Sequence, residues 1–279
     1  MPEHGLPPVT GELARRLDAV STSFAHHMLE STAALPGNPR GLRLETFGNA
    51  FAAAATEAPE LDFMNRVHHL WPEDAPHLPA ILRFYAGTGI RPWFEVFPSE
   101  DGADAVAGAI ARAGAAPVSY ATFLYGAAVA RPAAGDASID IRTVSHEDVD
   151  EFSDALLRGH AVPEAELGLA GAAQRHWPNL PGTNLYVAIV DGRPAAAAVL
   201  RIGDGIGYLA NASTVPEFRA RGCQTALLAR RIADAAAEGC ELVAGQAIFG
   251  STSQRNMQRM GLRPALTLTT WRMITSIGV

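Results

Sequence analysis

The chain has 279 residues, 48% of them hydrophobic and 18% charged, with 22 basic against 29 acidic side chains and a formal charge of −7. That apolar content excludes a disordered chain, the length suits one large domain or two of ordinary size, and the acidic balance disfavours duplex nucleic acid as a partner. Every basic residue is Arg, so lysine Schiff-base chemistry and a Walker phosphate loop are excluded.

The first periodic segment places Leu13, Leu17, Val20, Phe24, Met28 and Leu29 at spacings of three and four, which predicts an amphipathic helix over 10–34, stopped by Pro36, Gly37 and Pro39. Strands are expected at 42–47 and 63–70, a helix at 75–85, a strand at 92–97, a helix at 103–112 and a strand at 119–125. The Ala/Pro/Gly stretch 127–137 has no periodicity and reads as a linker. Beyond it come a strand at 139–143, a helix at 147–158 and a long irregular segment to Pro181. Strands at 185–190 and 195–202 flank Asp191-Gly192, a hairpin signal. A strand at 206–212, a helix at 224–237 ended by Gly239, a strand at 242–248, a helix at 253–260 and a strand at 265–272 complete the chain.

Both halves close with the same order of strand, helix, strand, helix, strand. Pro72-Glu73 and Pro216-Glu217 each follow the first of these strands, and Gly114 and Gly261 each end the short last helix. A divergent internal duplication is the economical explanation, with domains at 1–130 and 131–279.

The segment from Tyr208 through Asn211-Ala212-Ser213-Thr214-Val215-Pro216 to Arg219-Ala220-Arg221-Gly222-Cys223-Gln224-Thr225 carries the chemistry. A strand enters a tight loop and then a helix, so unpaired N–H groups gather at the positive end of the helix dipole, beside Arg219 and Arg221. Gly222 would let the backbone approach an anion without a Cβ between them.

This second half resembles the Gcn5-related N-acetyltransferase family over about residues 138–275. The motif Arg219-x-x-Gly222, the Pro216-Glu217 ahead of it and the final Gly261-Leu262 carry the likeness. The resemblance implies an α/β (α+β) protein of two tandem acetyltransferase-fold domains, each with a mixed, mostly antiparallel central sheet flanked by helices. It implies acetyl-CoA held by Ala212, Ser213 and Thr214 along the strand, by Arg219, Ala220, Arg221, Gly222, Cys223, Gln224 and Thr225 around the diphosphate, and by Ser253 and Asn256 on the last helix. Ser253 is equally a candidate N-cap of that helix.

Asn211, Ser213 and Ser253 are the candidate catalytic residues, but the sequence departs from the family pattern at several positions. Gln224 replaces the usual small residue. Asn211 stands where many relatives have a general-base Glu, and Met257 where many have a proton-donating Tyr, and neither of these side chains exchanges a proton near neutrality. The expected reaction is direct attack of a small-molecule amine on the acyl-CoA thioester, driven by proximity and by backbone N–H groups near Ser213 and Thr214. Substrate choice is expected from 160–177, with His160, Glu164 and Trp177 foremost and Glu166 and His176 beside them. The alternatives are a non-catalytic acyl-CoA-binding or sensing protein, or another enzyme on this fold, an acyl-CoA decarboxylase or an aminoacyl transferase from tRNA. The last would need a basic groove.

No metal is expected. Cys223 and Cys240 cannot build a zinc site alone, and the adjacent pairs His26-His27 and His68-His69 point their side chains to different sides. Gly203-x-Gly205-x-Gly207 resembles a dinucleotide fingerprint but precedes a strand, so it reads as a turn. Arg230 and Arg231 could reach a coenzyme phosphate but read as ordinary helix-surface arginines. The loop at 72–82 carries Glu73, Asp74 and prolines where the second half carries Arg and Gly, so the N-terminal copy is expected to bind no diphosphate and to act as scaffold, pocket wall or homodimer face. No apolar run reaches the roughly 18 residues of a membrane helix. The opening residues lack a basic and an apolar leader region, so a cytoplasmic protein with no membrane partner is expected.

Overall fold

A computed structural model describes residues 5–98, 103–130 and 138–278. The later part of the expected linker, 131–137, lies outside them. The chain divides into two compact units, one formed by Val9–Thr122 with the segment from Leu266 onward, the other by Phe123–Ala265 with the short segment ending at Pro8. A division at 130/131 would leave each half with its own last strand, but the compact units do not follow sequence order there.

In the first unit, helix α1 (Gly11–Ala33) is capped by the Thr10 side chain, which accepts the Leu13 N–H at 3.1 Å. It buries Leu13, Leu17, Val20, Phe24 and Leu29 of the predicted stripe and leaves Met28 half-buried. Strands β1 (Leu42–Phe47) and β2 (Ala50–Ala55) pair antiparallel, β2 pairs antiparallel with β3 (Arg66–Leu70), and β3 runs parallel to β4 (Trp93–Val96). Strand β2 is absent from the sequence expectations, and the expected strand at 63–70 begins only at Arg66, after a 3-10 turn at Asp62–Met64. A second 3-10 turn, Pro72–His77, precedes α2 (Leu78–Tyr85), and α3 (Ala103–Arg112) follows β4.

The second unit begins with the last residues of β5 (Ala115–Ala127). Then come β6 (Asp140–Thr143), α4 (Val149–Gly159), α5 (Glu164–Gln174), β7 (Thr183–Val190), β8 (Arg193–Gly203) and β9 (Ile206–Thr214), followed by α6 (Cys223–Ala237), β10 (Leu242–Ile248), α7 (Thr252–Arg259) and β11 (Arg263–Met273). Strands β6 to β9 form an antiparallel meander, and β10 joins β9 in parallel. The β7–β8 turn has positive φ at both Asp191 (53°) and Gly192 (73°), the conformation an Asp-Gly hairpin demands. Helix α5 occupies part of the segment expected to be irregular.

The duplicated order is present as β3-α2-β4-α3-β5 and β9-α6-β10-α7-β11, each with its first two strands parallel. The closing strands are exchanged. The later residues of β11 pair antiparallel with β4 in the first unit, from Thr269–Val96 to Arg272–Trp93, and the last residues of β5 lie beside β10 in the second. Among the described residues no helix is long and apolar enough to cross a membrane.

Candidate functional site

The site is built on β9 and the loop that follows it. Pairing of β8 with β9 runs from Gly203–Ile206 to Val199–Ala210 and resumes at Ala198–Ala212, so Asn211 is an extra residue, held at φ 24°. One surplus residue with its own φ is a β-bulge, a device that re-aims the strand beyond it. Past the bulge the Val215 N–H donates to Ala195 O at 2.9 Å. In an antiparallel ladder backbone groups alternate between the two sides. Val215 and Ser213 therefore face β8, and Ala212 and Thr214 turn their N–H and C=O groups toward the β10 side. There β10 is registered with β9 only from Leu242–Ile206 to Ala244–Tyr208, although the strands continue to Ile248 and Thr214. The backbone of Ala212 and Thr214 thus lines a stretch where the ladder has ended.

The loop after β9 makes a 3-10 turn at Pro216–Phe218 and reaches α6 through two left-handed residues, Ala220 (φ 61°) and Gly222 (φ 88°). Gly222 is the N-cap of α6 and brings no capping side chain. The first intrahelical bond is Ala226 N–H to Gly222 O at 3.0 Å. The N–H groups of Cys223, Gln224 and Thr225 therefore have no acceptor within the helix, and they sit at the positive end of its dipole. A Cβ on residue 222 would meet only Ile139 Cδ1, at 3.7 Å, so glycine is required here for its φ more than for space.

The two loop arginines, expected beside the anion, are exposed and also brace the loop. Arg219 donates from Nη2 to Gly159 O at 3.3 Å and from Nε toward Thr214 O at 3.4 Å. Arg221 donates to Asp191 at 2.9 Å and lies 5.7 Å from the centre of the Phe218 ring. Cys223 is buried, burial pushes its thiol up, and it acts as core. Gln224 and Thr225 are half-buried at the first turn of α6.

Ser213 was expected in catalysis, but its hydroxyl is buried and donates to Leu156 O at 2.8 Å on α4. Its backbone faces β8, so neither part of Ser213 serves the open side of β9. The hydroxyl docks α4 on β9, and the docking is close: a Cβ on Gly159 would stand 2.3 Å from Ser213 Oγ and 2.9 Å from the Thr214 backbone nitrogen. Ser213→Ala is accordingly expected to lower stability by about 1 kcal/mol, the worth of one buried hydrogen bond, and to leave coenzyme affinity unchanged. Chemical denaturation beside calorimetric titration with acetyl-CoA checks both halves of that expectation.

The remaining candidates separate. His160 follows Gly159 at the C-cap of α4, which places it at the end of β9, and Glu164 opens α5 with its side chain exposed. Trp177, expected to touch substrate, is 3% exposed and packs edge-on against Phe152 with ring centres 6.1 Å apart, so it is core. On α7 the N-cap is Ser251, whose Oγ accepts the Gln254 N–H at 3.2 Å, so the capping role considered for Ser253 falls elsewhere. Asn256 accepts from Arg259 at 2.9 Å. Met257 is buried against β10, where a Cβ on Gly245 would lie 2.9 Å from its terminal carbon, and it has no proton to give.

Of the two arginines of α6, Arg230 lies at the helix surface as expected and Arg231 does not. Arg230 is engaged with Asp234 at 2.9 Å and with Ile141 O at 3.2 Å. Arg231 is fully buried, beneath the bulge of β9. The available signal was its place on the apolar stripe of α6, four residues after Leu227 and four before Ala235, both buried.

A bulged strand parallel to a neighbour from which it parts, followed by a glycine-capped helix, in a chain built twice from one order of elements, defines a tandem acetyltransferase fold. The chain has the fold of the Gcn5-related N-acetyltransferases in tandem form. It is similar to a tandem protein of this type from the clavulanic acid biosynthesis pathway, at 13% identity and a TM-score of 0.59, over 92% of this chain and 95% of that one. It is similar to Gcn5-related N-acetyltransferases of Sphaerobacter thermophilus (13% identity, TM-score 0.59, 100% and 98% covered) and Kribbella flavida (18% identity, TM-score 0.54, 89% and 95% covered). No protein-family model and no curated protein matches the sequence, so the likeness is one of structure.

Proposed function

We propose that the protein is an N-acyltransferase that moves an acetyl group from acetyl-CoA to the amine of a small molecule. The observation that carries this reading is the N-terminus of α6, where Gly222 caps without a side chain and the N–H groups of Cys223, Gln224 and Thr225 are left for an anion. Such an array suits a diphosphate. The Ala212 and Thr214 backbone would hold the coenzyme's amide-bearing arm in the manner of an added strand, and the coenzyme brings the thioester acyl group. Backbone N–H on the open side of β9 is placed to receive negative charge that develops on an acyl oxygen, without reorganising when it does.

For the transfer, the amine nitrogen forms a bond to the acyl carbon as the carbon–sulfur bond breaks. The nitrogen loses a proton and the departing thiolate gains one. Met257 is buried, Asn211 is an amide and the Ser213 hydroxyl is committed to Leu156 O, so none of these three supplies or accepts that proton, and in this reading solvent does so. The substrate must then reach the site as a neutral amine, which predicts a rate that rises with pH toward the pKa of the amine. The same lack of an acid and a base favours a second reading, a protein that binds acyl-CoA without turnover.

Calorimetric titration with acetyl-CoA, followed by thiol release across an amine panel, tests both. Saturation near one site per chain with amine-dependent thiol release supports acyl transfer, and saturation without release supports the binder. No binding overturns both readings.

A further inference from the structure

Arg231 presents a problem that packing alone does not solve. It is wholly buried on α6, among the described residues it has no carboxylate partner, and its Nη2 is buried with no hydrogen-bond partner. Burial brings its guanidinium down to about 10, so it remains charged at neutral pH. A buried unpaired cation is costly, and an apolar side chain of similar size would pack at that position without the cost. The bonds that Arg231 does make explain its presence. Nε donates to Leu227 O at 3.1 Å on its own helix, and Nη1 donates to Val199 O at 3.0 Å and to Ala210 O at 3.1 Å.

Val199 and Ala210 are the last registered pair before the bulge at Asn211. A bulge interrupts the ladder next to this pair, and both of its carbonyl oxygens accept a hydrogen bond from Arg231 beside the interruption. One nitrogen of Arg231 reaches both oxygens from below.

We propose that Arg231 is a positioning residue that holds the β9 bulge at Asn211 in place from α6, and so keeps the backbone of Ala212 and Thr214 turned to the open side. Because side-chain and backbone directions alternate along a strand, loss of the bulge would slip residues 212–214 by one place, turning the N–H groups of Ala212 and Thr214 toward β8 and that of Ser213 away from it. The same helix carries the Gly222 cap at its first turn, so Arg231 also fixes where the anion site stands relative to the strand. The proposal rests on the acyl-transfer reading for its consequence, but the bulge itself can be tested without it.

The test is a stability cycle combined with two ligands. In the wild-type background Arg231→Met is expected to lower the denaturation midpoint clearly. In a chain with Asn211 deleted, where no bulge needs a donor, the same substitution is expected to cost little. Equal costs in the two backgrounds would overturn the proposal. Should the deletion fail to fold, hydrogen exchange on Arg231→Lys decides instead. The amides of Ser213 and Val215, which face β8, are expected to exchange at least tenfold faster than in wild type while those of Leu242–Ala244 and α6 keep their protection, and a uniform change would mark a merely structural arginine. For ligands, Arg231→Lys is expected to bind ADP, which has the diphosphate without the arm, within twofold of wild type and to bind acetyl-CoA at least tenfold more weakly. Equal losses for both ligands would overturn the positioning role. Wild type that binds neither ligand but still shows the coupled stabilities would remove the acyl-transfer reading and leave the bulge contact standing.

Discussion

Gly222→Asp is expected to weaken acetyl-CoA binding by at least about 100-fold, or about 3 kcal/mol, while the protein stays folded. The residue caps α6 at φ 88°, and the N–H groups just after it are the donors offered to the diphosphate. An aspartate there acts twice against the ligand. Its carboxylate is a favoured partner for N–H groups at a helix start and takes the donors the phosphate would use. Its charge also faces the phosphates where the helix dipole would otherwise attract them. The fold survives because nothing within 3.7 Å obstructs a Cβ and because Asp tolerates left-handed φ better than most residues, so the strain is about 1 kcal/mol. Gly222→Ala isolates that strain. It is expected to lose less than tenfold in affinity with a similar fall in melting temperature. Calorimetric titration of the two variants beside thermal melts makes the comparison, and an Asp variant with wild-type affinity would remove the α6 terminus from the site.

The segments legible in the sequence are those where local chemistry and burial agree. Helix α6 has a stripe of apolar residues between a glycine start and a glycine end, and the β7–β8 hairpin has Asp191-Gly192 at its turn, so both stand close to where periodicity puts them. Strand β2 was not legible because Ala50–Ala55 is nearly all alanine, a poor strand former, and because all six of its residues are buried, which removes the alternation that marks a strand. Helix α5 was hidden by Gly168 and Gly171 in its interior, each of which weakens a helix. The exchange of β5 and β11 is set by pairing between segments far apart in the chain, which no local pattern of residues reports.

At the site, residue type and spacing located the anion-binding turn but not the direction of its side chains. Arg219 and Arg221 read as charges for a ligand because a sequence shows that a cation is present and not that Gly159 O or Asp191 already holds it. Ser213 and Trp177 failed for the same reason, being polar or aromatic groups in the right segment that point into the protein. Arg231 is the opposite case: an arginine on a helix reads as a surface residue, yet its position belongs to the apolar stripe.

Loss of Glu95 is expected to cost the first unit a large part of its stability. It sits on β4, 7% exposed, and holds Arg66 Nη1 at 2.9 Å on one carboxylate oxygen and His68 Nδ1 at 3.0 Å on the other. His68 is itself buried and stacks on Phe51, and among the described residues Arg66 has only a longer contact to Asp62, at 3.4 Å, as a further carboxylate. Removing the acid strands a buried imidazole and a mostly buried guanidinium together. Glu95→Ala is therefore expected to cost about 3–5 kcal/mol, the range for breaking a buried ion pair from one side, and urea denaturation measures it. The pH dependence gives the same interaction a second reading. Burial alone would raise the Glu95 carboxyl, but His68, and after it Arg66, outweigh burial and bring it down from 4.5 to about 2. A carboxyl lowered by folding contributes stability that is complete above its unfolded value and is lost as pH falls through the folded one. The loss is thus expected between pH 4.5 and 2, and the shift corresponds to about 3 kcal/mol. Asp18, raised by burial, works in the opposite sense over the acid range, so the quantity to compare is the difference between wild type and Glu95→Gln. That difference is expected to shrink steadily as the pH is lowered from 5 to 2, and a difference that stays constant with pH would mean that the pair contributes by packing and hydrogen bonding alone.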